Sequence, residues 1–149
     1  LFLILPMSIS FDYINLTKPE NLPLPREERS GYFEEWTAGY GFKEIAKFLI
    51  DQKKNGPVVV GTEGYFGTLP DGLQIYLDKA KISIVPDKAT ISANLRKATK
   101  ENQVFFVANK ARIVQNLKGA ELIKEYPKAV PPKSEVQDAI VFYRVLPEK

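Results

Sequence analysis

Val58-Val59-Val60-Gly61-Thr62-Glu63-Gly64-Tyr65-Phe66-Gly67-Thr68-Leu69-Pro70-Asp71-Gly72-Leu73-Gln74-Ile75-Tyr76-Leu77 decides the fold class of this chain. Three β-branched apolar residues in a row read as a buried strand. The glycines that follow punctuate a turn with one acidic residue in it, and Leu69 to Leu77 supply the apolar positions of a helix. Thr68 has the chemistry of an N-cap, Pro70 sits near the first turn, and Asp71 lies at capping-box spacing from Thr68. Strand, glycine turn and capped helix together are the opening unit of an α/β layered sheet. In such sheets ligands bind beyond the carboxyl ends of the strands, where backbone N–H groups converge.

The rest of the chain repeats the alternation. Upstream, Phe42, Ile45, Ala46, Phe48, Leu49 and Ile50 recur at helical spacing, and Asn55-Gly56-Pro57 stops that helix. Downstream, Lys81–Val85 reads as a second strand closed by Pro86, residues 90–100 as a short helix, and Gln103–Ala108 as a third strand. That third strand is apolar throughout and therefore central. Arg112–Leu117 reads as a short helix ending at Gly119, Glu121–Tyr126 as an edge strand, and Ala139–Val145 as a closing strand. The expectation is a two-layer or three-layer α/β sandwich, with a Rossmann-like, mostly parallel sheet and an added C-terminal strand.

Composition narrows the chemistry. At 149 residues and 44% hydrophobic, the chain can bury one core and hardly two. It has no cysteine and no histidine, which excludes disulfides, thiolate metal sites and any nucleophile paired with an imidazole. No metal site and no cofactor is expected, and any acid–base chemistry would have to come from carboxylates, lysines or tyrosines. The net charge of +3 is unevenly spread. Residues 79–118 carry Lys79, Lys81, Lys88, Arg96, Lys97, Lys100, Lys110, Arg112 and Lys118 against only Asp87 and Glu101. Such a stretch suits anionic lipid headgroups or a phosphate-bearing ligand, or it is simply the solvated side of helices and loops. Nucleic acid is not expected, because no RNP-like strand or helix-turn-helix spacing accompanies the charge.

Three groups of residues are candidates for binding. Thr62, Glu63, Gly64, Tyr65 and Gly67 make the turn after the first strand, where the backbone can approach a ligand and polar side chains suit sugar hydroxyls. The same glycines serve equally well in a plain strand-to-helix connection. Trp36 and Tyr40, with Tyr32 and Phe33, could pack on the domain, lie at a bilayer interface or stack on a sugar ring. Glu34-Glu35 is a weak carboxylate pair, since adjacent residues seldom face one site.

The stretch Leu1–Phe11 is apolar and uncharged, but shorter than the roughly 20 residues a spanning helix needs. It reads either as the outer end of a transmembrane helix or as an ordinary first strand or core segment. Residues 12–30 form a connector in which Pro19, Pro23 and Pro25 argue against a helix.

The connector Leu22-Pro23-Leu24-Pro25-Arg26-Glu27-Glu28-Arg29 leads into Tyr32-Phe33-Glu34-Glu35-Trp36-Thr37-Ala38-Gly39-Tyr40-Gly41, then a helix, the Val58–Gly61 strand and the Gly64-Tyr65-Phe66-Gly67 turn. This arrangement resembles the soluble C-terminal region of bacterial multi-pass membrane glycosyltransferases of the dolichyl-phosphate-mannose protein mannosyltransferase type. The resemblance covers the chain to about Leu77 and, more loosely, the strands to Val145. It implies a parent enzyme that transfers sugar from a polyprenyl-phosphate donor to an acceptor on the outer side of a membrane. It further implies residues 1–11 as the end of a transmembrane helix, 12–40 as a connector and 41–149 as one α/β domain on the extracytoplasmic face. Its partners would be the membrane portion of the same chain and the lipid-linked sugar or glycan acceptor. The catalytic acid of that family lies in an early outer loop, so no catalytic residue carries over. The other readings are a stand-alone small-ligand module and a purely structural interaction domain.

Overall fold

The computed structural model describes residues 4–114, 117–131 and 134–147. The chain order is α1 (Ile4–Thr17), a 3-10 turn (Pro19–Asn21), α2 (Arg26–Arg29) running into a π-helical turn (Ser30–Glu34), α3 (Phe42–Lys53) and β1 (Val58–Glu63). There follow a π-helical turn (Thr68–Gly72), α4 (Leu73–Leu77), a 3-10 turn (Asp78–Ala80), β2 (Ser83–Asp87), α5 (Ala93–Ala98) and β3 (Gln103–Asn109). A 3-10 turn (Lys110–Arg112), β4 (Ala120–Pro127) and β5 (Ala139–Val145) complete it.

The fold is mixed α/β around one five-stranded sheet of order β2-β1-β3-β5-β4. β1 pairs in parallel with β2 and β3, whereas β5 is antiparallel to both β3 and β4. Four strands therefore share a direction and β5 alone opposes them. The C-terminal strand thus lies between β3 and β4, and β4 is the edge strand that the sequence suggested. β3, apolar from Val104 to Ala108, takes the central position its composition predicted.

Alternate residues of β3 feed two cores. Phe105 and Val107 pack with Val58, Val60, Ile140 and Phe142 beneath α3 and α4. Val104, Phe106 and Ala108 pack with Leu95 of α5, Val141 and Val145 on the other face. Helices α4 and α5, which carry the β1–β2 and β2–β3 crossovers, thus cover opposite faces. On the first face Phe48, Phe105 and Phe142 form an aromatic triad with centroids 5.3–5.6 Å apart. Each fully buried side chain here contributes about 1.5–3 kcal/mol of transfer free energy.

Several local expectations are corrected. Residues 12–30 are more helical than their prolines suggest: α1 runs to Thr17, ahead of Pro19, and Pro25 immediately precedes α2, where a missing N–H costs nothing. The stretch from Ile4 onward is helix, not strand. No helix among the described residues is long and apolar enough to cross a membrane. Gly67, not Thr68, caps the turn into α4: Gly67 N donates to Asp71 Oδ2 at 2.9 Å, while the Thr68 hydroxyl donates to Thr37 O at 3.0 Å. Leu69, Leu73 and Leu77 of that segment join the core, Pro70 is buried beside them, and Ile75 is 77% exposed. Pro86 does not close β2 but lies inside it, a position an edge strand tolerates. The helix expected over Arg112–Leu117 is replaced by the 3-10 turn Lys110–Arg112 and an extended Ile113, with residues 115 and 116 outside the described set.

Candidate functional site: the carboxyl edge of the sheet

The topology brings five polar side chains to one edge. β1, β2 and β3 end there in Glu63, Asp87 and Asn109, Lys128 follows the end of β4, and Asp138 precedes the start of β5. Between β1 and β3, whose flanking crossover helices cover opposite faces, an open α/β sheet leaves a crevice at this edge. Here the crevice is filled by the chain's own groups. Glu63 is 2% exposed. Its Oε2 accepts from Asn109 Nδ2 at 2.9 Å and, more weakly, from Asn109 N at 3.4 Å, and Arg112 Nε stands 2.9 Å from its Oε1.

The network continues through Asn109. Its Oδ1 accepts from Lys128 Nζ at 2.5 Å. Lys128 Nζ also donates to Asp138 Oδ2 at 2.7 Å and to Glu35 O at 2.8 Å, so all three ammonium protons are used. Burial pushes the Lys128 ammonium below the ordinary lysine range, and the Asp138 and Glu63 carboxylates oppose that fall. For Asp138 burial acts upward, but hydrogen bonds from Lys128 and from the Ala111 and Ala139 amides outweigh it and hold the carboxyl below its usual value. A buried charge is stable only when paired in this way.

The loops over this edge are tied to it. Ala129 N donates to Phe33 O at 2.8 Å, which with the Lys128–Glu35 bond binds segment 33–36 to the hairpin of β4 and β5. Arg112 lies 5.3 Å from the centre of the Trp36 ring while it pairs with Glu63. Trp36 in turn covers Gly67: a Cβ placed there would meet Trp36 Cζ3 at 3.4 Å. Gly64 has φ +90°, which an L side chain rarely adopts, and its N donates to Asp87 O at 2.9 Å. Asp87 accepts from the amides of Lys88 and Ser92 and so fixes the entry to α5, where Ser92 is the N-cap.

Of the candidate residues, Glu63, Gly64, Gly67 and Trp36 are thus brought together. Thr62 is wholly buried in β1, and its hydroxyl has no hydrogen-bond partner among the described residues. Tyr65 points away from the network and is 61% exposed. Tyr40 lies apart, half-buried against the α3 core and beside Glu20, Tyr32 and Phe33 in an open groove of about 340 Å³. Burial, then the Glu20 carboxylate, raises its hydroxyl above the ordinary tyrosine range. Glu34 and Glu35 part company: Glu34 is buried against Arg26 and Arg29, while Glu35 is exposed and accepts from Ser30 Oγ.

Asn109, Arg112, Lys128 and Asp138 were not anticipated as site residues. Asn109 carries one legible signal, a polar amide closing an apolar strand as Glu63 closes β1. Lys128 carries none, because nothing around Tyr126-Pro127-Lys128 marks this lysine for burial. Chemically, both Glu63 oxygens already have partners, Asn109 on Oε2 and Arg112 on Oε1. The arrangement locks loops together and presents Trp36, Tyr65 and Phe66 outward. Among the described residues no group of three or more carboxylates could hold a metal ion.

The class these observations define is a mixed α/β domain whose strand-end crevice is sealed by an ionic network. No known protein family, curated protein or solved structure matches the chain.

Proposed function

We propose that this chain is the extracytoplasmic C-terminal domain of a membrane glycosyltransferase that uses a polyprenyl-phosphate sugar donor. Its part is accessory: it positions the donor or acceptor beside the membrane portion of the same protein and supplies no catalytic residue. The observation that carries this reading is the carboxyl edge, where Glu63 is consumed by Asn109 and Arg112 while the rim above it is aromatic. With both Glu63 oxygens taken, the edge offers aromatic surface rather than a free carboxylate. Residues 1–11 would belong to the outer end of a transmembrane helix.

The test is the reading frame upstream of Leu1. It is expected to encode a polytopic membrane protein with an acidic residue in its first outer loop. A frame opening immediately before Leu1 would overturn the proposal.

A second reading is a Rossmann-like small-ligand module, favoured by the strand order β2-β1-β3 with α4 and α5 on opposite faces. It requires the Glu63–Arg112 pair to open for a ligand. A screen of nucleotides and sugar phosphates by protein-detected NMR would then show shifts centred on Gly61–Gly67, and a blank screen would remove it.

A further inference from the structure

We propose that the aromatic rim of the carboxyl edge, with Tyr65 and Phe66 at its tip, inserts into the interface of a lipid bilayer. The inference deepens the membrane-anchored reading above but stands on separate observations. Phe66 is 79% exposed and Tyr65 61%, side by side at the tip of a turn whose base is held by the Gly64–Asp87 bridge and by Asp71 on Gly67 N. Trp36, 42% exposed, flanks the same turn against Gly67, with Arg112 over its ring. Trp and Tyr, each with one polar end, and a cation on a flexible stem are side chains that settle at headgroup depth, and Phe66 adds apolar surface beside them.

The size of the patch decides between a membrane and a protein partner. At about 150–250 Å² per aromatic side chain, these three expose roughly 400 Å². A stable protein interface needs about 800 Å² on each side, with shape complementarity. A bilayer interface asks for neither. Of the acidic groups near the rim, Glu63 and Asp87 are buried and turned inward to their partners, while the exposed Glu35 and Asp71 carboxylates accept from Ser30 Oγ and Gly67 N. Helix α1 carries apolar surface of its own, exposing Met7, Ile9, Phe11 and Leu16.

Trp36 is the only tryptophan and therefore a built-in reporter. Its emission is read on the 149-residue chain titrated with vesicles of phosphatidylcholine and of equimolar phosphatidylcholine and phosphatidylglycerol. The expected result is a blue shift and reduced acrylamide quenching on both. The double variant Tyr65→Ser, Phe66→Ser should partition roughly tenfold or more weakly, given the apolar area removed, with unchanged circular dichroism. A second variant, Ile9→Ser with Phe11→Ser, separates the rim from α1 and should keep the Trp36 shift. No shift on either vesicle overturns the proposal. So does a shift that the loop variant retains, or one confined to anionic vesicles and erased by high salt, which would make the basic 79–118 stretch the contact. Failure here leaves the transferase reading intact, because an accessory domain can stand clear of the bilayer.

Discussion

Lys128 and Asp138 form an ion pair of 2.7 Å in which the lysine side chain is fully buried and the aspartate only 13% exposed. The pair spans the connection between β4 and β5, and Lys128 N also donates to Asp138 O at 2.9 Å. The same ammonium reaches Asn109 at the end of β3 and Glu35 in the aromatic segment. One side chain thus joins two strands and a loop distant in sequence.

Removing that side chain should be among the costliest single changes in the protein. Lys128→Ala removes the donor to Asp138 Oδ2 and to Asn109 Oδ1. The expected loss is about 3–5 kcal/mol, the range for stripping one partner from a buried pair. Urea unfolding followed by circular dichroism measures it. A loss under about 1 kcal/mol would place the pair in the weak class of solvated surface ion pairs instead.

The same pair sets an acid sensitivity. Asp138 is held below the usual carboxyl range in the folded state, so between the folded and unfolded values the unfolded chain binds more protons. Stability from this group is therefore present at neutral pH and lost as pH falls below about 4, through the folded value. Asp138→Asn should flatten the acid limb of a stability–pH profile while lowering the neutral plateau. An acid limb of unchanged steepness would assign acid unfolding to other carboxylates.

The sheet was legible because its signals are local and redundant. Val58–Val60 and Val104–Val107 are β-branched or aromatic throughout. Strand order was not legible, since β5 inserts between β3 and β4 through pairings such as Val107 with Phe142 that no local pattern encodes. The candidate site was half legible. Glu63, Gly64 and Gly67 sit where strand-end chemistry places them, and Trp36 joins them through Arg112. Lys128 and Asp138 meet them only because the β4–β5 hairpin folds back on the sheet. Thr68 misled because its hydroxyl has a tertiary partner, the Thr37 carbonyl, that competes with the local cap.

Glu63→Ala tests whether the strand-end carboxylate serves structure or a ligand. Its loss unpairs the Asn109 amide and frees Arg112, which is half exposed and can be rehydrated. The expected cost is about 1–3 kcal/mol, that of leaving a buried hydrogen-bonding group unsatisfied. The Trp36 emission should shift as Arg112 leaves its ring, and Glu63→Gln should recover part of the stability through the Asn109 bond. An unchanged Trp36 spectrum in Glu63→Ala would show that Arg112 holds its place without the carboxylate.

Gly61 tests how tightly β1 is pressed against α5. A Cβ there would lie 2.6 and 2.7 Å from the two methyls of Leu95 and 3.0 Å from Phe106 Cδ2. No strained dihedral is involved, so the effect of Gly61→Ala is overpacking alone, about 1–3 kcal/mol. Gly41→Ala should cost more, because φ there is +76° and the added carbon would sit 2.2 Å from Cγ of Tyr126, a ring the strand end fixes. Leu95→Ala empties the space that Gly61→Ala needs. Alone it should cost about 2–5 kcal/mol as a cavity, and the double variant should cost less than the two singles added together. Additive losses in that cycle, measured by urea unfolding of all four proteins, would mean that Leu95 swings aside freely and that the β1–α5 contact is looser than the geometry indicates.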